Sequence, residues 1–257
     1  MREETEFRPK PMVEIGGIPL IVHLMRIFAA QGNREFVICA GYRSDIVNSF
    51  FAIETWRPWC EEFIPQWKAE DWKVVVRDTG ADTPTGGRIA LARDAIGAGP
   101  FFCTYGDSLA PVDTNHLLAL HKASGRPATV TLAHPTSRFG VAELEKDFRV
   151  SGFREKPVMD ELVSIGFFIF ESEVYSRLQP DSVLEEEPLN GLARDGQLSG
   201  YTHGGFWQPL DTYRELLMMQ ELWKSGRPPW LEFPADVSGS PSLRDHLSGH
   251  RSGEARV

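Results

Sequence analysis

The sequence predicts an α/β fold built on a mixed, mostly parallel sheet. Three observations predict it. Over the first two thirds, apolar runs of strand length alternate with stretches of helical periodicity, the pattern of βαβ units. Several of those runs stop in loops rich in Gly, Asp and Thr, and ligands of such sheets sit beyond the C-terminal strand ends. The chain has 257 residues, 42% hydrophobic and 25% charged. That is enough for one large domain or two small ones, and no internal repeat suggests a solenoid or propeller.

The elements follow in order. Residues 19–31 place Leu20, Leu24, Ile27 and Phe28 on one face, which predicts an amphipathic helix ended by Gly32-Asn33. A strand is expected over 35–42, then a helix over 44–53 with Ser44 as its N-cap. A strand over 72–80 leads through a polar loop into a helix over 86–97, opened by two glycines. A strand over 100–107 ends in Gly-Asp. Next come a helix over 113–125, with Asp113 as cap and Gly125 beyond its end, and a strand over 127–135. From 140 the pattern changes to strand, Lys-Asp turn, strand, followed by a strand over 161–170. A short helix over 185–198 carries acids in its first turn, where the macrodipole favours them. A strand ending in Asp211 and a helix over 212–226 complete the domain, taken as 1–235. The stretch 236–257 is rich in Ser, Gly, Pro and Arg without periodicity and is expected to be a disordered tail.

Composition narrows the function. The sum of 27 Lys+Arg against 36 Asp+Glu is −9, which argues against a nucleic-acid partner. It leaves room for a local Lys/Arg cluster that binds phosphates. No run of about 18 apolar residues could span a membrane. The first residues, MREETEFRPKP, lack the apolar core of a secretory signal. A cytoplasmic location follows, and a homo-oligomer is compatible with it. Cys39, Cys60 and Cys103 form no CxxC pair and read as buried small hydrophobes in a reducing compartment. The seven histidines show no zinc spacing. His23, His116 and His121 lie on expected helices as surface or packing residues. The aromatic trio Tyr201, Phe206 and Trp207 reads as core. No G-x-S-x-G elbow and no dinucleotide G-x-G-x-x-G is present.

Five features could carry chemistry, each with a plain alternative. Lys10, in R-P-K-P-M, is held by two prolines in an expected extended loop and could present a point charge to a phosphate. It could equally be a solvated lysine. The loop 78–88, DTGADTPTGGR, leads into a helix whose start could offer backbone N–H groups to an anion, with Arg88 beside them. It could also be an ordinary βα loop. Asp107 follows a buried strand, with Gly106 allowing close approach, a position suited to a Mg²⁺ ligand or to a turn. Asp211 is a second carboxylate of the same kind, or the N-cap of the next helix in competition with Thr212. Glu155-Lys156-Pro157 sets an acid beside a base. Neighbours on a strand point to opposite faces, so both reach one ligand only if the Pro turn re-aims them, and the pair could equally be a solvated hairpin edge.

Taken together, EETEFRPKPMVEIGG, DTG…TGGR, TYGD, SRFG, FREKP, EEPL and GFWQPLDT stand in an order and spacing that closely resembles the glucose-1-phosphate cytidylyltransferases. These form a branch of the sugar-phosphate nucleotidyltransferases. The resemblance covers about residues 3–230. Each motif is weak alone, and the set in register is strong. It implies a Rossmann-like nucleotidyltransferase fold and the reaction of CTP with α-D-glucose 1-phosphate to CDP-glucose and pyrophosphate, feeding CDP-sugar synthesis such as that of O-antigens. It implies Mg²⁺ on Asp107 and Asp211, and Lys10 on phosphate near the reacting centre. It further implies nucleotide contacts from Arg88, Thr85 and Gly86, and sugar-phosphate contacts from Tyr105, Gly140, Glu155 and Lys156. A homologue that only binds ligand, or one using another sugar or base, are the competing readings.

Two departures from the family pattern stand out. The family carries a strand and a G-G-x-G-T-R-L loop before the E-E-T segment, where this chain starts with Met1-Arg2. The resemblance therefore implies that the first strand and Gly-rich loop are missing, and an internal Met taken as the start is expected. The family also tends to N-G-G-F-F where this chain has Ser164-Ile165-Gly166-Phe167-Phe168. That predicts a branched side chain near the sugar.

Overall fold

The computed structural model describes residues 8–232. The expected tail and the start at Met1-Arg2 lie outside them.

Lys10 enters on a 3-10 turn, Lys10–Met12, instead of the expected extended loop. Pro9 and Pro11 hold φ near the value such a turn needs, and the amides of Met12 and Val13 close it onto Pro9 O and Lys10 O, at 2.8 and 3.1 Å. A small antiparallel hook, β1 (Glu14–Ile15) and β2 (Ile18–Pro19), feeds α1 (Leu20–Ala29). The face Leu20, Leu24, Ile27 and Phe28 packs into one core. The opposite face, Ile21, Val22, Met25 and Ala29, packs into a second. The helix is therefore buried on two faces instead of one, with Arg26 alone part-exposed, because it lies between two cores.

The second core is closed by β3 (Glu35–Ala40), α2 (Ser44–Phe51), α3 (Ile53–Phe63) and β4 (Lys73–Asp78). Strands β3 and β4 pair in parallel with Ala40 opposite Asp78, so their loops leave the same end. Ser44 is the first residue of its helix, not the cap. Arg43 precedes it with φ 52°, and the Ser44 hydroxyl donates to Asp78 Oδ2 at 2.7 Å instead.

The expected helix after the polar loop is two pieces, α4 (Thr85–Leu91) and α5 (Arg93–Ile96). Then follow β5 (Phe101–Thr104), the two-residue β6 (Ser108–Leu109) and α6 (Thr114–Ser124). Asp113 caps α6 by accepting from the amides of Asn115 and His116, and Gly125 ends it in the left-handed region. After β7 (Ala128–Ala133), the hairpin of β8 (Val141–Leu144) and β9 (Val150–Arg154) leads to β10 (Val163–Phe170). The last elements are α7 (Glu187–Arg194), β11 (Leu198–Thr202), β12 (Gln208–Pro209) and α8 (Tyr213–Lys224).

The main sheet has the order β11-β7-β10-β5. Strand β10 runs antiparallel to both neighbours, and β11 runs parallel to β7. Strands β5, β7 and β11 thus share one direction in a mixed sheet. Ile165 points into the first core and is 2% exposed. The branched side chain expected near the sugar is absorbed by packing. Tyr201 lies in the same core, with Phe206 and Trp207 against it. The three cysteines are free thiols, and among the described residues no helix is long and apolar enough to cross a membrane.

His23 is wholly buried among the rings of Trp67, Trp223 and Trp230. Its Nε2–H donates to Ile15 O at 3.0 Å, and its Nδ1 accepts from Trp230 Nε1 at 3.2 Å. A neutral imidazole satisfies both bonds. Burial accordingly lowers its pKa from 6.5 to about 4. Below pH 6.5 the unfolded chain takes up the proton that the folded chain refuses. Stability should be whole above that pH and fall as the pH drops toward 4, by about 3 kcal/mol in all. Burial lowers His121 and His203 too, in the same sense. Urea unfolding at pH 7, 5.5 and 4 should show this fall, and His23→Gln should remove much of it. An unchanged pH dependence in the variant would contradict the assignment.

Candidate active site

Asp107 and Asp211 are far apart in sequence and are joined by the smallest ladder in the protein. Strands β6 and β12 pair antiparallel, with Leu109 opposite Gln208 and Ser108 opposite Pro209. The amide of Leu210 donates to Asp107 O at 2.8 Å. One aspartate precedes its strand and the other follows, so antiparallel pairing sets them side by side. Thr212 is the N-cap of α8, in a capping box with Glu215. Glu215 Oε2 accepts the amides of Asp211 and Thr212, each at 2.7 Å. The helix end is satisfied without the Asp211 carboxylate.

That carboxylate turns to Lys10. The Lys10 ammonium lies 2.9 Å from Asp107 Oδ2 and 2.7 Å from Asp211 Oδ1. The 3-10 turn that carries it rests on Gly106. A Cβ there would come within 2.9 Å of Pro11 Cγ, so Gly106 serves the approach of Pro11. Burial opposes the Lys10 charge, but the hydrogen bonds to Asp211 and Asp107 outweigh it and its pKa stands above the usual lysine value. The Lys10 hydrogen bond holds the Asp211 carboxyl below the usual range against partial burial, and Arg138 adds to it. Arg138 Nη2 lies 3.1 Å from Asp211 Oδ2 and 3.8 Å from Glu215 Oε1.

The loop 78–88 is bound largely to itself. Asp78 Oδ1 accepts the Gly80 amide, and Thr79 Oγ1 donates to Ala40 O. Arg88 Nη1 donates to Thr79 Oγ1 at 2.8 Å and Nη2 to Ala81 O at 3.2 Å, with the guanidinium against Gly41. The two glycines that open α4 admit the protein's own backbone. A Cβ on Gly87 would come 2.0 Å from Pro180 O, and one on Gly86 2.9 Å from Ser182 O. The Gly87 amide is bonded to Ser182 O at 3.0 Å, so it is not among the free donors expected at this helix start.

Glu185 links the next two residues. It accepts from the Tyr105 hydroxyl through Oε1 and from Thr85 Oγ1 through Oε2, the latter at 2.7 Å. Thr85 Oγ1 in turn accepts the Leu184 amide at 2.9 Å. Burial pushes the Tyr105 phenol up, and the bond to Glu185 adds to it. The Tyr105 ring lies over Gly166, whose φ is 82° and where a Cβ would come 2.3 Å from Cδ2. Only glycine meets both demands.

Gly140, Glu155 and Lys156 form a third group beside the β8–β9 hairpin. A Cβ on Gly140 would meet the Phe153 ring at 2.4 Å and Glu155 Oε2 at 3.1 Å. Lys156 takes φ 47°, which re-aims it, and its ammonium lies 3.8 Å from Glu155 Oε1. The structure therefore joins Lys10, Asp107 and Asp211 directly, and Thr85 and Tyr105 through Glu185. Among the described residues, Arg88 and the Glu155–Lys156 pair make no hydrogen bond or ion pair with these two aspartates. Sequence reasoning missed Arg138, Glu185 and Glu215. The first two lie within S-R-F-G and E-E-E-P-L, where acids were read only as macrodipole partners.

A family model described as nucleotidyl transferase matches residues 4–193. Glucose-1-phosphate cytidylyltransferase of Salmonella typhi is 35% identical over 241 residues, covering 90% of this chain and 93% of that protein. A Bacillus subtilis (strain 168) protein named as a probable glucose-1-phosphate cytidylyltransferase is 37% identical over 239 residues, covering 90% and 94%. The crystal structure of an apo UDP-glucose pyrophosphorylase superposes with a TM-score of 0.66 at 17% identity, covering 88% of this chain and 94% of that one.

Gly166→Ala should cost about 1–3 kcal/mol, since it adds a clash to a strained φ. Gly204→Ala, with open space around the position, should stay within about 0.5 kcal/mol. Urea midpoints of both variants check this. Equal midpoints would show that Tyr105 does not depend on the bare Gly166 backbone.

Proposed function

The chain belongs to the nucleotidyl transferase family, in the branch of the glucose-1-phosphate cytidylyltransferases, and we propose that it makes CDP-glucose and pyrophosphate from CTP and α-D-glucose 1-phosphate. A phosphate oxygen of the sugar phosphate bonds to the α-phosphorus of CTP. The bond from that phosphorus to the bridging oxygen breaks, and pyrophosphate carries the electron pair away. The attacking phosphate is already ionised near neutral pH, so the protein need not supply a base. Catalysis then rests on positioning and on neutralising gathered charge.

The observation that carries this reading is the convergence of Asp107 and Asp211 on one cation, the Lys10 ammonium. Two hard carboxylates that already hold a positive charge between them fit Mg²⁺, with phosphate oxygens and water filling the other positions. Bound there, Mg²⁺ would supply charge neutralisation on the phosphates. Lys10, displaced from the carboxylates, has its ammonium free for the same phosphates. Arg88, Thr85 and Gly86 face the nucleotide in this reading. Tyr105, Gly140, Glu155 and Lys156 hold the sugar phosphate. The protein acts in the cytoplasm, and a homo-oligomer is compatible with the apolar side chains that the hairpin exposes, Phe148 and Phe153 among them.

Two outcomes test it. In a pyrophosphate-release assay, Asp107→Asn and Asp211→Asn should each lower kcat/KM by about a hundredfold to a thousandfold or more with unchanged circular dichroism. Near-wild-type turnover at limiting Mg²⁺ would remove that residue from the metal site. CTP should be preferred to UTP, because donors and acceptors set for the cytosine edge are left unpaired by uracil. Comparable kcat/KM for the two would point to a different base specificity.

A further inference from the structure

Both oxygens of Asp211 are occupied, each by a different cation. Oδ1 takes Lys10 at 2.7 Å and Oδ2 takes Arg138 at 3.1 Å. Each oxygen keeps a further lone pair, so a divalent ion can still bind Asp211, but it sets a double positive charge beside both cations. The two are held unequally. The Lys10 side chain is 26% exposed, sits on a turn fixed by two prolines and is shared with Asp107. Arg138 is 63% exposed and reaches Asp211 from a loop, with Glu215 Oε1, at 3.8 Å, the other carboxylate beside it among the described residues. An exposed pair of this kind is weak, so when the ion takes the place of Lys10 between the two carboxylates the Arg138 pair is readily given up as well. Once a doubly charged ion sits on Asp211, like-charge repulsion also drives the guanidinium off.

Its loop decides where it goes. Arg138 is two residues before Gly140, whose backbone lies against Phe153 and Glu155, on the side proposed to hold the sugar phosphate. A guanidinium binds phosphate through paired N–H donors, and a lysine there would act only as a point charge. We infer that Arg138 is an exchangeable counter-cation. It covers Asp211 while no divalent cation is bound and turns to the phosphate of the sugar 1-phosphate when such a cation binds between Asp107 and Asp211. The inference rests on the proposed metal role of Asp211.

The test uses Mn²⁺ alone as probe, followed by electron paramagnetic resonance of the free ion with no substrate present. Arg138→Gln should bind Mn²⁺ about twofold to fivefold more tightly than wild type, the range for removing one partly exposed competing pair. Its KM for glucose 1-phosphate should rise about tenfold while KM for CTP holds, as loss of a charge-assisted contact predicts. Arg138→Lys should bring Mn²⁺ affinity back toward wild type without restoring the sugar-phosphate KM. Asp211→Asn separates the two claims. If it binds Mn²⁺ as wild type does, the metal reading falls and this inference with it. If it loses Mn²⁺ while Arg138→Gln binds as wild type or more weakly, the inference alone falls. An unchanged glucose 1-phosphate KM in Arg138→Gln would also overturn it.

Discussion

The contact on which the site depends is the Lys10 ammonium lodged between two carboxylates. It ties the start of the described chain to positions 97 and 201 residues away. Either carboxylate without the cation would repel the other at this separation. A cation is thus a condition of the arrangement. In the free protein the chain supplies that cation itself. The backbone around it follows the same constraint. Prolines fix the Lys10 turn, Gly106 admits Pro11, and Thr212 with Glu215 caps α8 so that Asp211 is free to face the lysine.

A second network stands beside the first. Glu185 bridges Thr85, at the start of α4, and Tyr105, two residues before Asp107. The T-G-G segment is pressed against residues 180–182, and Tyr105 is pressed against Gly166. Thr85 and Gly86 of the proposed nucleotide group and Tyr105 of the proposed sugar group are thereby held by one carboxylate and by close backbone contacts. Displacing Tyr105 would disturb Asp107 through the short connection between them.

The elements with local signals were legible in the sequence. Asp113 and Gly125 delimit a helix as their chemistry requires, and the apolar spacing of α1 located one of its two buried faces. Lys10, Asp107 and Asp211 were each visible as a residue at a loop beside an apolar element, and the family pattern supplied their grouping. What local reading missed depends on distant partners. The second face of α1 is buried by α2 and α3, and α3 carries Pro58 inside a helix that single-residue propensity opposes. Packing of Trp56 and Cys60 in the second core holds it in place. Ile165 gave no local sign that it turns inward. Glu185, Arg138 and the two-residue β6–β12 ladder have no periodicity to read, since their roles exist only across the folded chain.

On the proposed reading, the Asp107–Asp211 pair is a single divalent-cation site that Lys10 fills in the free protein. Anomalous diffraction at the manganese edge, on crystals equilibrated with Mn²⁺ and CTP, tests it most directly. One strong peak bound by both carboxylates is expected, with the Lys10 ammonium moved off them toward phosphate. A peak elsewhere, or Lys10 still bridging the two aspartates with nucleotide bound, would contradict it.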